Sequence, residues 1–458
     1  MKKLHILLAG FLLLFVYACE DKLELSPHDQ VSANYDTMEE FELLLNGVYS
    51  SFTAGAYYGE LKIAMEAWAA DDLKISPQNN GQGAFVHNWS YASDDQNAEA
   101  IWSRFYTTVY RANLIINNAP GFDPPTEADR QLLNEIRAQA LSLRALVHFH
   151  AHKLFAEPSQ GGSELSVPYV TQISLIQQPA RMTTNEVFAA IRADIAEAMS
   201  LADIPFGTFV FDRASKHSLL AQVALYEANY SEVITQVNNA LDAGAPPLAT
   251  GATYAGMWNQ LDVAGENIFK INFTPGSAAV GNIFYINSLD ASYFWATEDL
   301  LDLYDQSNDI RFDAFFDVTR WPRVTKYIGD PSIPGLADAK VFRTSDLYLM
   351  RAEAHYQTGD QSSALADLDA IRTARIAGFV SPGETGEALF QAIQTERRKE
   401  LVYESSRFFD LRRWDQSINR GDCAANRCEL EAGDHRFVFP IPEAEVFAND
   451  NMVQNPGY

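Results

Sequence analysis

Three clusters hold the residue types that could do chemistry. His148, His150 and His152 form H-x-H-x-H, and on a helix His148 and His152 share one face at i, i+4, which is half of a zinc site. No carboxylate or further histidine follows at a useful spacing, so packing on a buried helix is the reading. Asp302, Asp305, Asp309 and Asp313 form an acidic cluster. A calcium loop begun at Asp305 needs Gly at its sixth place and Glu at its twelfth, where Ile310 and Phe316 stand, so a solvated helix face is expected. Cys423 and Cys428 close a small polar loop, GDCAANRC. A metal there would need two more ligands, with Asp434 and His435 the nearest in sequence; outside the cytoplasm a local disulfide is the expectation. No G-x-S-x-G, Walker loop or H-E-x-x-H occurs, and no metal or cofactor is called for.

A fourth cluster is the stretch Thr395–Trp414, TERRKELVYESSRFFDLRRW. Glu396, Glu400 and Glu404 share one helical stripe among Arg397, Arg398, Lys399 and Arg407. From Glu396 to Asp415 there are six basic and five acidic residues. That near-neutrality argues for an ion-paired structural helix followed by an aromatic plug, and against a phosphate site. The whole chain carries a net charge of −26, which repels a nucleic-acid backbone and leaves neutral ligands compatible.

Neutral sugars are bound by stacking the C–H faces of the ring on flat aromatics, while carboxylates and amides take the hydroxyls. Aromatics make up 12% of the chain, which leaves some for a ligand surface. The irregular, Gly/Asn/Gln-rich stretch Lys74–Asp95 and the aromatic stretch Leu241–Lys340 are where such a surface is expected. Trp89 and Tyr91 with Asp71 or Asp72, and Tyr293 with Trp295, are the candidate ligand contacts, chosen on composition and placement. For each one taken singly, core packing is the competing reading.

The elements that must position them are mostly helical. Thr37 with Glu40 opens a capped helix, and Glu99–Ala119, Thr126–Phe155 and Thr184–Leu201 keep apolar three-to-four spacing. Ser215–Leu241 reads as a helical hairpin like a tetratricopeptide repeat. RTSDLYLMRAEAHYQTGDQSSALADLDAIR repeats it, with Ala352, Tyr356, Gly359, Ala364 and Leu368 at its key places. About four such hairpins are expected, interrupted by long irregular insertions and a few short strands, one of them near 268–273 and one near Lys326–Tyr327. The N-terminus reads as a secretion signal. Lys2 and Lys3 precede the apolar run Leu4–Tyr17, which is too short to span a bilayer, and Val16-Tyr17-Ala18-Cys19 forms a lipobox with Tyr in its second position. Residues 1–18 are then a signal peptide, Cys19 carries lipid, and 19–36 form a tether.

ERRKELVYESSRFFDLRRW closely resembles the C-terminal signature of the RagB/SusD family of outer-membrane nutrient-binding lipoproteins. Trp102, Tyr106, Ala112 and Asn113, the helix with Arg137, Arg144 and Ala145, and the ending Pro440-Ile441-Pro442 to Gln454-Asn455-Pro456-Gly457-Tyr458 resemble it too. The resemblance runs from Cys19 to Tyr458. It implies residues 37–240 as an N-terminal part, 241–340 as an insertion region and 341–458 as a C-terminal part. It also implies binding without catalysis: a cell-surface lipoprotein, held to the outer membrane by lipid alone. Such a protein captures oligosaccharide and passes it to a SusC-type TonB-dependent transporter. Glu20 and Asp21, directly after the lipid site, resemble the family's surface-export signal. A peptide-capturing or structural repeat lipoprotein is the alternative, and a glycoside-processing enzyme a third. The anchor is testable: Cys19→Ala is expected to move the folded protein from the membrane to the soluble fraction on cell fractionation, and retention in the membrane rejects the lipobox.

Overall fold

Thr37 starts the first helix as its spacing predicts. Its side chain accepts from the Glu40 N–H, and the Glu40 carboxylate accepts from the Thr37 N–H. The computed structural model describes residues 35–458 apart from 158–160, 175, 278–279, 285–290, 330–331, 422 and 424–426. The signal segment, Cys19 and the tether up to residue 34 lie outside the described residues.

Helices dominate, and they pack in pairs. In the first half α1 (Met38–Phe52), α2 (Leu61–Ala69), β1 (Leu73–Ile75) and the single turn α3 (Ala84–His87) lead to α4 (Gln96–Asn118) and α5 (Glu127–Phe155). Then come α6 (Thr184–Leu201), α7 (Arg213–Tyr226) and α8 (Tyr230–Asp242). The pairs are α1 with α4, α5 with α6, and α7 with α8. A fourth pair lies in the last third, and the insertion intervenes: α9 (Gly251–Asn259), β2 (Asn267–Ile271), β3 (Phe294–Ala296), α10 (Glu298–Leu301), α11 (Ile310–Phe315), β4 (Phe316–Asp317), β5 (Arg323–Val324) and β6 (Ala339–Arg343). The fourth pair is α12 (Thr344–Gln357) with α13 (Gln361–Arg375), which α14 (Gly386–Glu400) covers. Ala352, Ala364 and Leu368 let these helices close on Leu389 and Ile393, and Gly359, at φ +89°, makes the tight turn between α12 and α13. The chain ends with α15 (Arg407–Arg413), the hairpin β7 (Ile418–Asn419) and β8 (Glu429–Leu430), and α16 (Glu443–Ala448). The Cys423–Cys428 disulfide closes that hairpin.

The core runs through α5, where every residue from Ala140 to Phe155 is buried. That includes three histidines, each hydrogen-bonded. His148 donates from Nδ1 to the Arg144 carbonyl (2.9 Å) and accepts from the Val170 N–H at Nε2 (3.1 Å). His150 sits between the Tyr57 and Tyr58 hydroxyls (2.6 and 3.3 Å), and His152 lies 2.8 Å from Ser166 Oγ. Burial pulls His148 and His152 down to about 3, so they are neutral core residues. In the acidic cluster at 302–313, Asp302, Asp305 and Asp313 are exposed, as expected of a solvated face, and only Asp309 departs from it. Asp309 is buried because it caps α11 and pairs with Arg311 (2.7 Å). The strand expected near Lys326–Tyr327 falls three residues earlier, at β5, and Lys326 and Tyr327 are turned inward instead.

Lys326 belongs to a buried ion network that joins insertion and repeats. Glu400, at the end of α14, is contacted by Arg375 (3.0 Å) from α13, Arg343 (2.9 Å) from β6 and Arg311 (3.0 Å) from α11. Arg343 and Arg375 also hold Glu266 (2.6 and 2.9 Å), and Arg343 and Lys326 hold Glu404 (2.7 and 2.6 Å). Arg311 reaches Glu396 (2.6 Å), and Lys399 reaches Asp309 (3.1 Å). Five cations thus meet five carboxylates, so this network carries no net charge of its own.

Burial pushes the carboxyl of Glu400 up, but Arg375, Arg343 and Arg311 outweigh it and hold the group well below the usual range. Glu396 and Glu404 are lowered in the same way against their own burial. Each folded-state value lies below its unfolded one. The stabilisation is therefore complete above about pH 4.3 and is lost as pH falls through the folded-state values. Removing one partner leaves buried charge uncompensated, so Glu400→Gln is expected to lower unfolding free energy by about 3–5 kcal/mol in urea titrations at pH 7. The gap between variant and parent should narrow as the titration is repeated at successively lower pH.

Candidate functional site

The insertion presents one small aromatic ribbon at the surface. β1 pairs antiparallel with β3, in the register Leu73↔Ala296, Lys74↔Trp295 and Ile75↔Phe294. Alternation along β3 sends Phe294 inward, where it stacks on Trp68 (5.7 Å) and meets His87 (5.6 Å), and leaves Tyr293 and Trp295 half-buried on the other face. The hairpin β4–β5 adds to the edge: the Ala296 N–H donates to the Pro322 carbonyl (2.9 Å). That places Trp321, half-buried under the Arg320 guanidinium (4.0 Å), one residue from the ribbon's contact point.

An amide-rich loop, residues 76–83, frames Tyr293. Asn79 Nδ2 donates to the Tyr293 carbonyl (3.1 Å), and Asn80 Nδ2 donates to the Tyr293 hydroxyl (3.2 Å). Ser76 N–H donates to the same carbonyl (3.1 Å), and Ser292 N–H to Gln78 Oε1 (3.0 Å). Gly83 is obligatory here: its φ is +66°, and a Cβ would meet the Trp68 ring at 2.5 Å. Gln82 reaches Glu60 (3.2 Å), whose carboxyl is raised by its burial. The Trp295 indole N–H is buried without a hydrogen-bond partner among the described residues. The arrangement therefore offers two flat rings and several amides, the groups that a hydroxyl-rich ring can stack on and bond to.

The other expected ligand contacts lie elsewhere, and the reason is burial. Asp71 and Asp72 are 7% and 1% exposed. Asp71 is held by Arg407 through two bonds (2.9 and 2.8 Å), and Asp72 by Arg398 (2.7 Å). Burial raises the Asp71 carboxyl, but Arg407 and Arg398 outweigh it and leave the group well below its ordinary value. Trp89 is 1% exposed; its indole donates to the Ala69 carbonyl (2.9 Å), and Arg420 stacks on it at 3.9 Å. Arg420 also donates to the carbonyls of Trp68, Ala69, Ala70 and His87, gripping the C-terminal end of α2. Tyr91 is 5% exposed, packs on Phe439 (4.7 Å) and donates to the Arg436 carbonyl. Asp71, Asp72 and Trp89 brace the segment beside the ribbon, Tyr91 packs against the C-terminal tail, and Tyr293 and Trp295 are the candidates at the surface. Trp321, Asn79 and Asn80 were not singled out from the sequence. The Thr-Arg-Trp-Pro-Arg turn at 319–323, a tryptophan next to a turn proline, was the available signal for the first.

A helical-repeat scaffold that displays an aromatic ribbon defines the class, and the comparisons give the family. A family model described as "Starch-binding associating with outer membrane" matches residues 23–226, and the SusD family model matches residues 333–458. Two curated relatives from Formosa agariphila, SusD-like proteins P2 and P38, are 23% and 24% identical over 98% and 100% of both chains. Among solved structures, a putative sugar binding protein from Bacteroides vulgatus superposes with a TM-score of 0.82 at 26% identity, covering 93% of this chain and 99% of its own. A SusD superfamily protein from Bacteroides thetaiotaomicron gives 0.82 at 23%, covering 92% and 100%. The chain belongs to the SusD/RagB family. Within it, Asp71→Asn is expected to lower stability by about 3 kcal/mol in urea unfolding, because Arg407 loses its buried partner. The folded fraction should keep wild-type ligand affinity; a variant that folds as wild type but binds less would return Asp71 to the ligand surface.

Proposed function

We propose that the protein is a surface-anchored saccharide-binding lipoprotein, with Tyr293 and Trp295 as the stacking platform. One observation carries this: two rings stand side by side on the outward face of a strand, beside a loop of asparagine and glutamine amides. A similar protein from Bacteroides vulgatus, described as a putative sugar binding protein, supports the ligand class. The net charge of −26 favours a neutral chain over a polyanion. Nothing in this reading requires bond cleavage: the protein holds a saccharide fragment and releases it to a TonB-dependent transporter in the same outer membrane, while the Cys19 lipid keeps the pair together.

Calorimetry with maltohexaose, cellohexaose and xylohexaose tests the platform. Trp295→Ala is expected to weaken binding at least tenfold, about 1.4 kcal/mol, while the thermal transition stays in place. Wild-type protein that binds none of a wide neutral-glycan panel, but binds peptides, would reject the saccharide reading and leave an uptake role standing. Co-purification of a TonB-dependent transporter with the tagged, membrane-extracted protein is the expected result for the partner.

A further inference from the structure

A second aromatic surface lies on α4, an element that contributes nothing to the ribbon. Trp102, Tyr106 and Tyr110 stand at i, i+4 and i+8, so they form one stripe. Helical rise sets successive members about 6 Å apart along the axis, close to one pyranose step. They line an open groove of about 660 Å³, whose opposite wall is Pro442, Ala444 and Glu445, at and beside the start of α16. That volume is within the range of about 300–1,000 Å³ usual for small-ligand sites.

The stripe is pre-organised. Trp102, 4% exposed, lies beneath the groove and presents no face to a ligand; its indole N–H donates to Glu445 Oε2 (3.2 Å), and Tyr106 and Tyr110 are the rings open to stacking. Tyr106 lies against Trp102, with ring centroids 4.8 Å apart, and is pinned by donating its hydroxyl to the Pro168 carbonyl (3.1 Å). Tyr110 is half-exposed, and its hydroxyl has no hydrogen-bond partner among the described residues. Ser103 and Thr107, both exposed, run beside the rings, and the exposed Glu99 closes the end.

We infer that this groove is a second saccharide site, for a neutral chain lying along α4. The inference rests on the saccharide-binding reading given above. Rings that carry hydroxyls, bordered by serine, threonine and carboxylates, suit a ligand with apolar faces and hydroxyl edges better than an aliphatic peptide. The lining holds two glutamates and no lysine or arginine, which disfavours acidic saccharides.

Calorimetric stoichiometry with the same three hexasaccharides decides it, using Tyr110→Ala, Trp295→Ala and the double variant. The wild type is expected to show two binding events per chain for at least one of them. Tyr110→Ala should weaken one event at least tenfold and leave the other, Trp295→Ala should do the converse, and the double variant should bind neither. Tyr110→Phe, which keeps the ring, should retain both events within a few-fold. A single event per chain that Trp295→Ala abolishes and Tyr110→Ala leaves untouched overturns the second site alone. So does a Tyr110→Ala protein that loses its co-purifying membrane partner yet keeps the wild-type isotherm, since the groove would then be a protein-docking face. Absence of any binding by the wild type overturns the saccharide reading itself, and with it this inference.

Discussion

Glu400 is the point on which the architecture turns. It ends the helix that covers the last repeat, and its two oxygens receive arginines from three other elements: α13, β6 and α11. A carboxylate buried at that depth is untenable alone, and so is each guanidinium. None of these elements can shift without stranding charge. Losing any one partner strands its opposite charge in the interior, so the ions fix the register of these elements. They state where the insertion must sit on the repeats.

The same segment carries that register out to the surface. Arg398 and Arg407, on α14 and α15, take Asp72 and Asp71 at the foot of β1, and the Tyr403 hydroxyl donates to the Asp72 carbonyl. From the other side Arg420, beside the disulfide-closed hairpin, grips the end of α2 and stacks on Trp89. A short three-residue ribbon is marginal by itself. Here it is braced from below by charge and by aromatic stacking of Phe294 on Trp68, and Tyr293 and Trp295 can stay half-exposed because other residues hold the strand. The stretch Thr395–Trp414 is thus not remote from the candidate ligand surface, as its position in the chain suggests. It is that surface's foundation.

The division of labour among aromatics follows the same logic. Trp68, Trp89, Trp258 and Tyr254 are buried and serve packing or cation stacking, and Tyr57 and Tyr58 hold His150. Composition alone could not sort these from Trp295 or Tyr110, because ring chemistry is the same inside and outside. The sorting is done by strand alternation at β3 and by helix phase at α4, both of which depend on what packs against the opposite face.

Local pattern determined a large part of this protein by itself. Helical spacing, the Thr37–Glu40 cap and the small residues at Ala352 and Ala364 are short-range signals, and the paired helices arise from them directly. The interleaved charge of Glu396–Asp415 announced ion pairing, since six bases and five acids in one segment leave little net field. Tertiary structure decided the partners. Asp71 and Asp72 looked like ligand groups because carboxylates near aromatics suit sugars. Their arginines lie more than 300 residues away in sequence, and no local rule reports a contact at that separation. Trp89 and Tyr91 were likewise claimed by Arg420 and Phe439, from the far end of the chain. A residue's type sets which bonds it can make. Only the folded chain sets whether solvent, ligand or a distant side chain arrives to make them.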